Sequence, residues 1–473
     1  MRRKRHVASC ELLTRERRAS VKVPRETIAA IRFGYGFRPG ETPSRDAAAL
    51  LATLAPGAAL PFDAGPDIGE RAARFARFNT LRRENRDNSN RSAMARVQKS
   101  IRRQYQTDIR VRALTPVLSP YGFYERLAWF WSNHFAVGGK NLIGKALVGR
   151  FEKEAIRPHL AGPFNLLLRA AVTHPAMLLY LDQDRSMGPD SSTGRRRKAG
   201  LNENLSREIM ELHSLGVGSA YTQGDVRQFA ELLTGLGFNR RTGITAFTPA
   251  RAEPGAETVL GARYGGGPAR LADIYRALDD LAANPATARH IARKLAVHFT
   301  SDAPSNSLID HLATAYRRTG GNLSAVYAAL LDHDESWSSF GDKVKQPFDF
   351  IVSSLRAIGP TPAEIAAALD PADRSLPLIR AMRRLAHTPL EPPGPQGWPE
   401  SAAKWITPQG LTSRIEWASR LGRIAAERSD PRAFLDLALG GAASPAVSFA
   451  AVNAAERWEG IALVLASSEF NRR

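Results

Sequence analysis

Polar side chains recur at helical spacing in the stretch 202–216. Asn204, Glu208 and Glu211 lie at i, i+4 and i+7, which places them on one face of a predicted helix. An apolar stripe with the same spacing runs beside them and consists of Leu205, Ile209 and Leu212. Two carboxylates and an amide at the edge of a buried face indicate either a ligand site or ion pairs with arginines of a neighbouring helix.

An acid/base or metal site is the first hypothesis for these residues. A predicted aromatic helix over 120–136 carries His134 on the same face as its apolar residues, so this imidazole points inward. Carboxylates and imidazoles on packed helices are how helical bundles build metal centres. We predict a catalytic site of Glu208, Glu211 and His134, with Glu154 as a fourth ligand if a divalent metal is bound. Oxygen-rich ligands favour manganese, magnesium, calcium or iron over zinc.

A binding module without catalysis is the second hypothesis, with an anionic ligand or a partner protein as its occupant. Arginines at helix ends and a basic loop over 183–200 would supply the positive charge, and the loop could act as a lid. The predicted ligand-binding residues are Arg157, His159, Asp182, Asn202, Glu203, Asn204, Arg207 and His213. The third hypothesis is structural: Glu–Arg pairs, such as Glu203 with Arg207 at i,i+4, lock the packing of helices.

Charge and composition narrow the class of protein. The chain has 473 residues and a net charge of +20, from 66 lysines and arginines against 46 aspartates and glutamates. A protein with this net positive charge attracts anions. Arginines spread over solvated helix faces give the same net charge without forming a specific anion site. The basic stretch over 66–110 has few interleaved aromatic residues, so specific nucleic-acid binding is not expected. A hydrophobic content of 43% excludes global disorder.

The location of the protein is predicted from its N-terminus and its apolar runs. No run of about 18 apolar residues occurs, so no integral membrane span is expected. The single cysteine, Cys10, leaves no internal disulfide. The pair Arg2–Arg3 is a weak twin-arginine match, but Glu11 and Arg15 interrupt the apolar segment that an export signal needs. We therefore predict a cytoplasmic protein, with twin-arginine export as the alternative.

Helical periodicity dominates the chain, so the predicted fold class is mainly α. Residues 1–25 are predicted to be a basic flexible tail, and residues 26–473 a helical domain. That domain is predicted to form one unit or two lobes, 26–238 and 270–473. The part that resembles strands is 243–263, where Ile244–Phe247 and Thr258–Leu260 flank a loop with Pro254–Gly255. We predict a small β-hairpin there.

Two helix boundaries are predicted from local signals. Gly216 is expected to end the helix over 202–216, and Thr222 with Asp225 is expected to open the next helix as a capping box.

The run NENLSREIMELHSLGV at 202–217, followed by YTQGDV, resembles the signature of the DUF1800 family of bacterial proteins. The resemblance covers most of the chain, because matching segments continue on both sides of this run. They are IRFGYGFRPGE, FWSNHF, EAIRPHLAGPF, HPAMLLYLD, NPATARHIARKLAVHF, KQPFDFIVSSLRAIG and PPGPQGWPESAAKWI. None of these segments encodes a known chemistry, and the family's function is not established. The resemblance therefore indicates where a site lies and leaves its reaction open.

Two positions depart from the pattern that the resemblance implies. The family segment has histidines on both sides of the asparagine, whereas this chain has Ser132 before Asn133 and His134. The family also has a histidine just before the Glu-Pro-Gly step, where this chain has Ala252. Each departure removes a possible ligand, which weakens the transfer of a metal or catalytic role to this chain.

Overall fold

The computed structural model describes residues 23–54, 61–62, 65–85, 89–198, 200–372 and 376–473. Cys10, the Arg2–Arg3 pair and most of the predicted basic tail therefore lie outside the described residues. The first helix begins at Arg25. No helix among the described residues is long and apolar enough to cross a membrane. The division of the chain into two lobes stays a prediction.

The described part of the chain is mainly helical, which confirms the predicted fold class. Two small antiparallel sheets interrupt the order of the helices. The α-helices before the sheets are α1 Arg25–Ile28, α2 Ala47–Ala52, α3 Ile68–Glu84, α4 Arg91–Leu118, α5 Gly122–His134, α6 Leu142–Leu147, α7 Phe164–Thr173, α8 Pro175–Tyr180, α9 Ser192–Arg197, α10 Asn204–Glu208 and α11 Gln223–Leu232. Those after the sheets are α12 Leu271–Ala283, α13 Pro285–Phe299, α14 Asn306–Arg318, α15 Leu323–Asp332, α16 Glu335–Ser338, α17 Pro347–Ile358, α18 Pro362–Leu369, α19 Leu378–Arg384, α20 Pro408–Ala425, α21 Pro431–Leu439, α22 Pro445–Val452 and α23 Arg457–Ala466.

Short 3₁₀ and π segments extend or join several helices. In the described residues, 3₁₀ turns lie at Val148–Arg150, Arg157–His159, Gln183–Arg185, Pro249–Arg251 and Ala402–Lys404. In the same residues, π-helical turns lie at Ala29–Phe33, Glu152–Ile156 and Ile209–His213. A π turn inserts one extra residue per turn and is often found at functional sites, because it redirects the side chains that follow it.

Strands do occur in the predicted region, but their predicted pairing is wrong. β1 (Leu236–Phe238) pairs with β2 (Thr245–Phe247), and β3 (Ala256–Val259) pairs with β4 (Ala262–Gly265). The segments at 244–247 and 258–260 thus belong to two separate hairpins. The second hairpin closes through Leu260 and Gly261, which have φ angles of 51° and 80°. Positive φ at both central residues is typical of a tight two-residue turn. Because the turn is this short, β3 pairs with the segment that follows directly in the chain.

Local sequence signals account for many helix ends. The predicted capping box of Thr222 and Asp225 opens α11, where each side chain bonds the other residue's backbone N–H. A second capping box, Asp67 with Glu70, opens α3. Gly359 ends α17 in the left-handed region, at a φ of 65°, which glycine adopts without strain.

Helix α5 lies between the two main apolar clusters of the molecule. Phe123, Phe130 and Trp131 belong to one cluster, and Trp131 donates a hydrogen bond to the Tyr327 hydroxyl at 2.6 Å. Trp129 belongs to the other cluster and stacks on Phe348, with 3.8 Å between ring centroids. Aromatic residues on nearly every face of α5 therefore fix its position, and with it the position of His134 at its end.

The segment 202–216 is helical in two parts. The α-helix α10 ends at Glu208, and the π turn Ile209–His213 continues it. The Ser214 hydroxyl donates to the Ile209 carbonyl at 2.6 Å, which satisfies an acceptor of the widened turn. Gly216, with a φ of 92°, then ends the segment as predicted.

Candidate functional site

A cavity of about 620 Å³ opens where α5, the π turn 209–213, α13 and the loop 396–400 meet. His134 and Asn133 reach it from the end of α5, and Glu211 reaches it from the π turn. Its walls are apolar in large part, with Phe130 and Trp398 among them. A concave space with apolar walls and a few polar groups is the usual form of a small-molecule site.

One face of α13 supplies most of the positive charge of the cavity. The residues at i, i+3, i+4, i+7, i+8 and i+11 line it, and they are Ala286, Arg289, His290, Arg293, Lys294 and Val297. Arg289 forms an ion pair with Asp310. Among the residues that the structure describes, Lys294 forms neither a hydrogen bond nor an ion pair. Burial lowers the pKa of Lys294 to about 8, against the opposing attraction of Glu400.

Three histidines surround this lysine. The ring of His134 lies 5.9 Å from that of His213 and 6.2 Å from that of His290, measured between centroids. Burial and the Lys294 charge lower the pKa of His213 to about 3 and that of His290 to about 4. The same two causes hold the pKa of His134 well below its ordinary value. All three imidazoles are therefore neutral near pH 7.

Backbone carbonyls determine which ring nitrogens carry the protons. His134 Nε2 lies 3.2 Å from the His213 carbonyl, and His290 Nε2 lies 3.0 Å from the Leu212 carbonyl. A carbonyl only accepts, so both Nε2 atoms carry the proton and both Nδ1 atoms have a free lone pair. Both ring nitrogens of the buried His213 lack a hydrogen-bond partner. The Nδ1 atom of His134, which does line the cavity, lacks a partner as well, so its lone pair is available to a ligand.

Glu400 lines the cavity from the loop 396–400 and is already paired. It accepts a hydrogen bond from His298 Nδ1 at 2.7 Å and forms an ion pair with Lys343 at 3.1 Å. Burial would raise the pKa of Glu400, but His298 and Lys343 hold it well below its usual range. Glu400 thus remains ionised and contributes little uncompensated negative charge to the cavity.

Asn133 holds the loop of the cavity in place. Its side-chain amide donates to the Trp398 carbonyl at 3.0 Å, and its amide oxygen accepts from the Trp398 N–H at 2.7 Å. These two bonds pair a side chain of α5 with the backbone of a loop about 265 residues away. Because Trp398 forms one wall, Asn133 positions that wall.

Replacing Asn133 by alanine is expected to destabilise the protein by about 1–3 kcal/mol. The cause is the loss of both partners of the Trp398 backbone, which leaves a buried donor and acceptor unsatisfied. Chemical unfolding would measure this. Asn453→Ala is the matched control, because that exposed amide makes one bond to the carbonyl one turn earlier and its loss should cost under about 0.5 kcal/mol. Equal effects of the two variants would contradict a role for Asn133 in holding the loop.

A comparison with protein families identifies the chain. Residues 28–472 match the family described as a protein of unknown function, DUF1800. The chain belongs to the DUF1800 family. This confirms the resemblance seen in the 202–226 signature and its flanking segments. No curated protein and no solved structure gave a match. The family description assigns no activity, so the functional argument depends on the residues of the cavity.

The signature helix of this DUF1800 protein divides its two carboxylates between two places. Glu211 lines the cavity and forms an ion pair with Arg207 at 3.5 Å. Glu208 is half-buried, and the positive charge that acts on it comes from Arg207 and Lys140. Burial, followed by repulsion from Glu211, raises the pKa of Glu208. Of the predicted catalytic residues Glu208, Glu211 and His134, the last two therefore line the cavity.

Most of the other predicted ligand-binding residues lie in ordinary surface contacts. Arg207 bonds Glu203 at 3.2 Å, and both contact Gln223. Asn202 caps the helix by accepting from the Asn204 N–H. The remaining positions are a half-buried His159, an Asp182 paired with Arg185 at 3.6 Å, and an exposed Asn204. Of this predicted set, His213 is the residue beside the cavity histidines.

Arg157 belongs to a buried network of ion pairs in the DUF1800 protein. Its guanidinium bonds both oxygens of Glu125 at 2.9 and 2.6 Å, and also bonds Glu152 at 2.8 Å. Ser132, at the position of the first departure, donates to Glu152 at 3.0 Å. Arg112 pairs with the same carboxylate. Arg157 and Ser132 therefore connect helices in the interior rather than facing the cavity.

The predicted metal site is not confirmed. Within the described ranges, no three or more His, Cys, Asp or Glu side chains come together as a metal ion would require. Glu154 bonds Arg150 at 2.8 Å and lies 3.3 Å from His174, away from the signature helix. The ammonium of Lys294 beside the three histidines also opposes a cation there, because it already lowers their pKa values.

Sequence reasoning missed His290, Lys294 and Glu400, which line the cavity of the DUF1800 protein, and His298, which pairs with Glu400. Two signals in the sequence point to them. His290 and Lys294 stand at i and i+4 on the segment 285–299, where a polar stripe interrupts the apolar pattern. His298 lies four residues further along the same helix. Glu400 follows the Pro/Gly-rich loop, and its pairing with His298 depends on a contact across about 100 residues.

Proposed function

We propose that this DUF1800 protein binds a small organic anion in the cavity. One observation carries the proposal: Lys294 lines the cavity, is half-buried, and has neither a hydrogen bond nor an ion pair among the described residues. A partly desolvated ammonium without a counter-ion is unfavourable, and a bound carboxylate or phosphate would compensate it.

The balance of charge around the cavity also favours an anion. Arg293 is exposed at the cavity and, like Lys294, has no hydrogen bond or ion pair within the described part of the chain. The two carboxylates of the lining already have cationic partners, since Glu211 pairs with Arg207 and Glu400 with Lys343. The uncompensated charge of the cavity is therefore positive.

The walls indicate the rest of the ligand. Phe130 and Trp398 supply aromatic surface, and Leu212 and Leu215 supply aliphatic surface. Apolar walls bind an apolar body, while the few polar groups orient it. The proposed ligand is thus an organic anion that carries an aromatic or aliphatic group. The basic segment Arg195–Lys198, which the sequence proposes as a lid, does not line the cavity that the structure describes.

Calorimetric titration of the full chain with 3-phenylpropanoate is expected to show saturable binding. Lys294→Met should weaken it about 10–100-fold, which corresponds to the loss of one charge-assisted hydrogen bond. Lys145→Met is the matched control, because Lys145 is also half-buried and instead lies near the Tyr105 ring. A folded wild-type protein that binds no organic anion, or equal effects of the two variants, would refute the proposal.

The same titration has an expected pH dependence. The pKa of Lys294 is lowered to about 8, so its positive charge is present below that pH and is lost above it. Affinity for the carboxylate should therefore fall between about pH 7 and pH 9. Lys294→Arg keeps the charge throughout this range and should remove the fall. A pH dependence that persists in Lys294→Arg would assign it to another group.

Acid/base catalysis is the second candidate function, because three neutral imidazoles surround Lys294. Of the predicted catalytic residues Glu208, Glu211 and His134, the last two line the cavity, and the rings of His213 and His290 lie close to that of His134. A neutral imidazole can accept or relay a proton near pH 7. The binding experiment precedes any test of turnover, since it identifies the class of molecule to use as substrate.

A further inference from the structure

We infer that Lys294 forms a covalent imine with its ligand, and that the ligand is a 2-oxo acid with an apolar side chain. The inference rests on the proposed function, because it concerns the same cavity and the same anion. It adds a reaction step, a nucleophile and a substrate class to simple binding.

The surroundings of Lys294 match those of a nucleophilic lysine. An amine becomes a nucleophile only when it is neutral, and desolvation in an apolar pocket or a neighbouring cation favours that form. Phe130 and Trp398 supply the apolar walls, and Arg293 is the next residue on the same helix. Lys294 has no carboxylate within ion-pair distance among the described residues, so no ion pair with those residues stabilises its ammonium form. Its pKa, lowered to about 8, agrees with this geometry.

The histidines provide proton acceptors for the step. The Nδ1 atoms of His134 and His290 carry lone pairs, because their Nε2 protons are directed to backbone carbonyls. Neither ring is cationic near pH 7, so neither repels a cationic intermediate. A lysine beside two imidazole lone pairs, in a cavity with apolar walls, has the groups that imine formation requires of the protein.

The step balances without an oxidant or a reductant. The lone pair of Lys294 Nζ attacks the carbonyl carbon, a C–N bond forms, and the carbonyl oxygen takes up a proton to give a carbinolamine. The hydroxyl then takes up a second proton and leaves as water, and the nitrogen gives up both of its protons over the two stages, so that a neutral C=N bond remains. The net change is amine plus carbonyl giving imine plus one water.

Two neighbouring basic residues on α13 favour a ligand in which the carbonyl is next to a carboxylate. Arg293 and Lys294 both line the cavity and are consecutive on α13. Arginine holds a carboxylate through its planar fork, while the lysine reaches the adjacent carbon. The side chain of the 2-oxo acid then packs against Phe130 and Trp398. This arrangement fits a 2-oxo acid better than an aldehyde without charge.

Reductive trapping tests the inference. The full chain is incubated with phenylpyruvate and cyanoborohydride, and the modified lysine is located by peptide mass spectrometry. Modification at Lys294 is expected to exceed that at the half-buried control lysine, Lys145, by at least about tenfold, as expected for a desolvated amine with a lowered pKa. Reaction spread over surface lysines, with no preference for Lys294, would overturn it.

Phenylpropanoate, which has the carboxylate but no carbonyl, separates this inference from the proposed function when it is titrated into the wild-type protein. Lys294→Arg cannot form the imine, so it should lose the trapped adduct. Wild-type protein that binds phenylpropanoate and phenylpyruvate without any adduct at Lys294 would refute the imine and leave anion binding standing. Wild-type protein that binds neither compound and gives no adduct would refute both.

Discussion

Replacing Arg157 by methionine is expected to destabilise the protein by about 3–5 kcal/mol. Its guanidinium bonds Glu125 through two parallel hydrogen bonds and Glu152 through a third, and the Glu125 side chain is only 2% exposed. Removing one partner of a buried ion pair leaves an uncompensated charge in the interior, which costs far more than the pair contributes when it is intact. Chemical unfolding at pH 7 would measure the loss.

Arg207→Met is the matched control for this prediction. Arg207 also pairs with two carboxylates, Glu203 and Glu211, but its side chain is 39% exposed. Exposed ion pairs contribute about 0–1 kcal/mol, so this variant should lose no more than that. Similar losses in both variants would show that the Arg157 network does not bear on stability.

Replacing Asp349 by asparagine is expected to cost about 3–5 kcal/mol as well. Asp349 lies in the core with fully buried Arg126 and Arg473, at 3.1 and 3.3 Å from their guanidinium nitrogens. The nearly isosteric asparagine leaves those two cations without an anion. Asp310→Asn, in an exposed pair with Arg289, is the control and should change the free energy of unfolding by under about 0.5 kcal/mol. A loss for Asp349→Asn that is no larger would contradict the central role of this carboxylate.

The pH dependence of stability provides a second measurement for Asp349. Burial would raise its pKa, but Arg126 and Arg473 outweigh this and lower the pKa to about 2. A carboxyl whose folded-state pKa lies below the unfolded value stabilises the protein above the unfolded pKa. The contribution is lost as the pH falls from about 4 to about 2. Unfolding of Asp349→Asn should accordingly lack this part of the acid dependence that wild type shows.

Much of the local structure was predictable because it depends on neighbours in the chain. The 3.6-residue spacing of apolar side chains predicts the helices, and the Thr222–Asp225 capping box and the Gly216 stop appear where the sequence placed them. The membership in the DUF1800 family also follows from contiguous segments. The pairing of the strands was not predictable in the same way, because it depended on the tight turn at Leu260–Gly261.

The roles of individual charged residues were harder to predict. Glu208 and Glu211 share one helix face, yet Glu211 lines the cavity while Lys140 and Arg207 supply the charge that acts on Glu208. Arg157 was a candidate for ligand binding, and the structure places it between the buried Glu125 and the half-buried Glu152. A side chain's spacing determines its direction around its own helix, but which neighbour it meets depends on the packing of other helices.

The sequence alone predicts a mainly α fold, the family, the ends of several helices and one segment of the candidate site. The packing of distant helices brings His134, His290 and Lys294 to one cavity with His213 beside them, and it sets Asn133 against the loop that carries Trp398. The two differ in the range of the interactions on which they depend. Helix propensity and capping act within a few residues, whereas this cavity forms from segments about 80–265 residues apart that meet because their apolar faces are buried together.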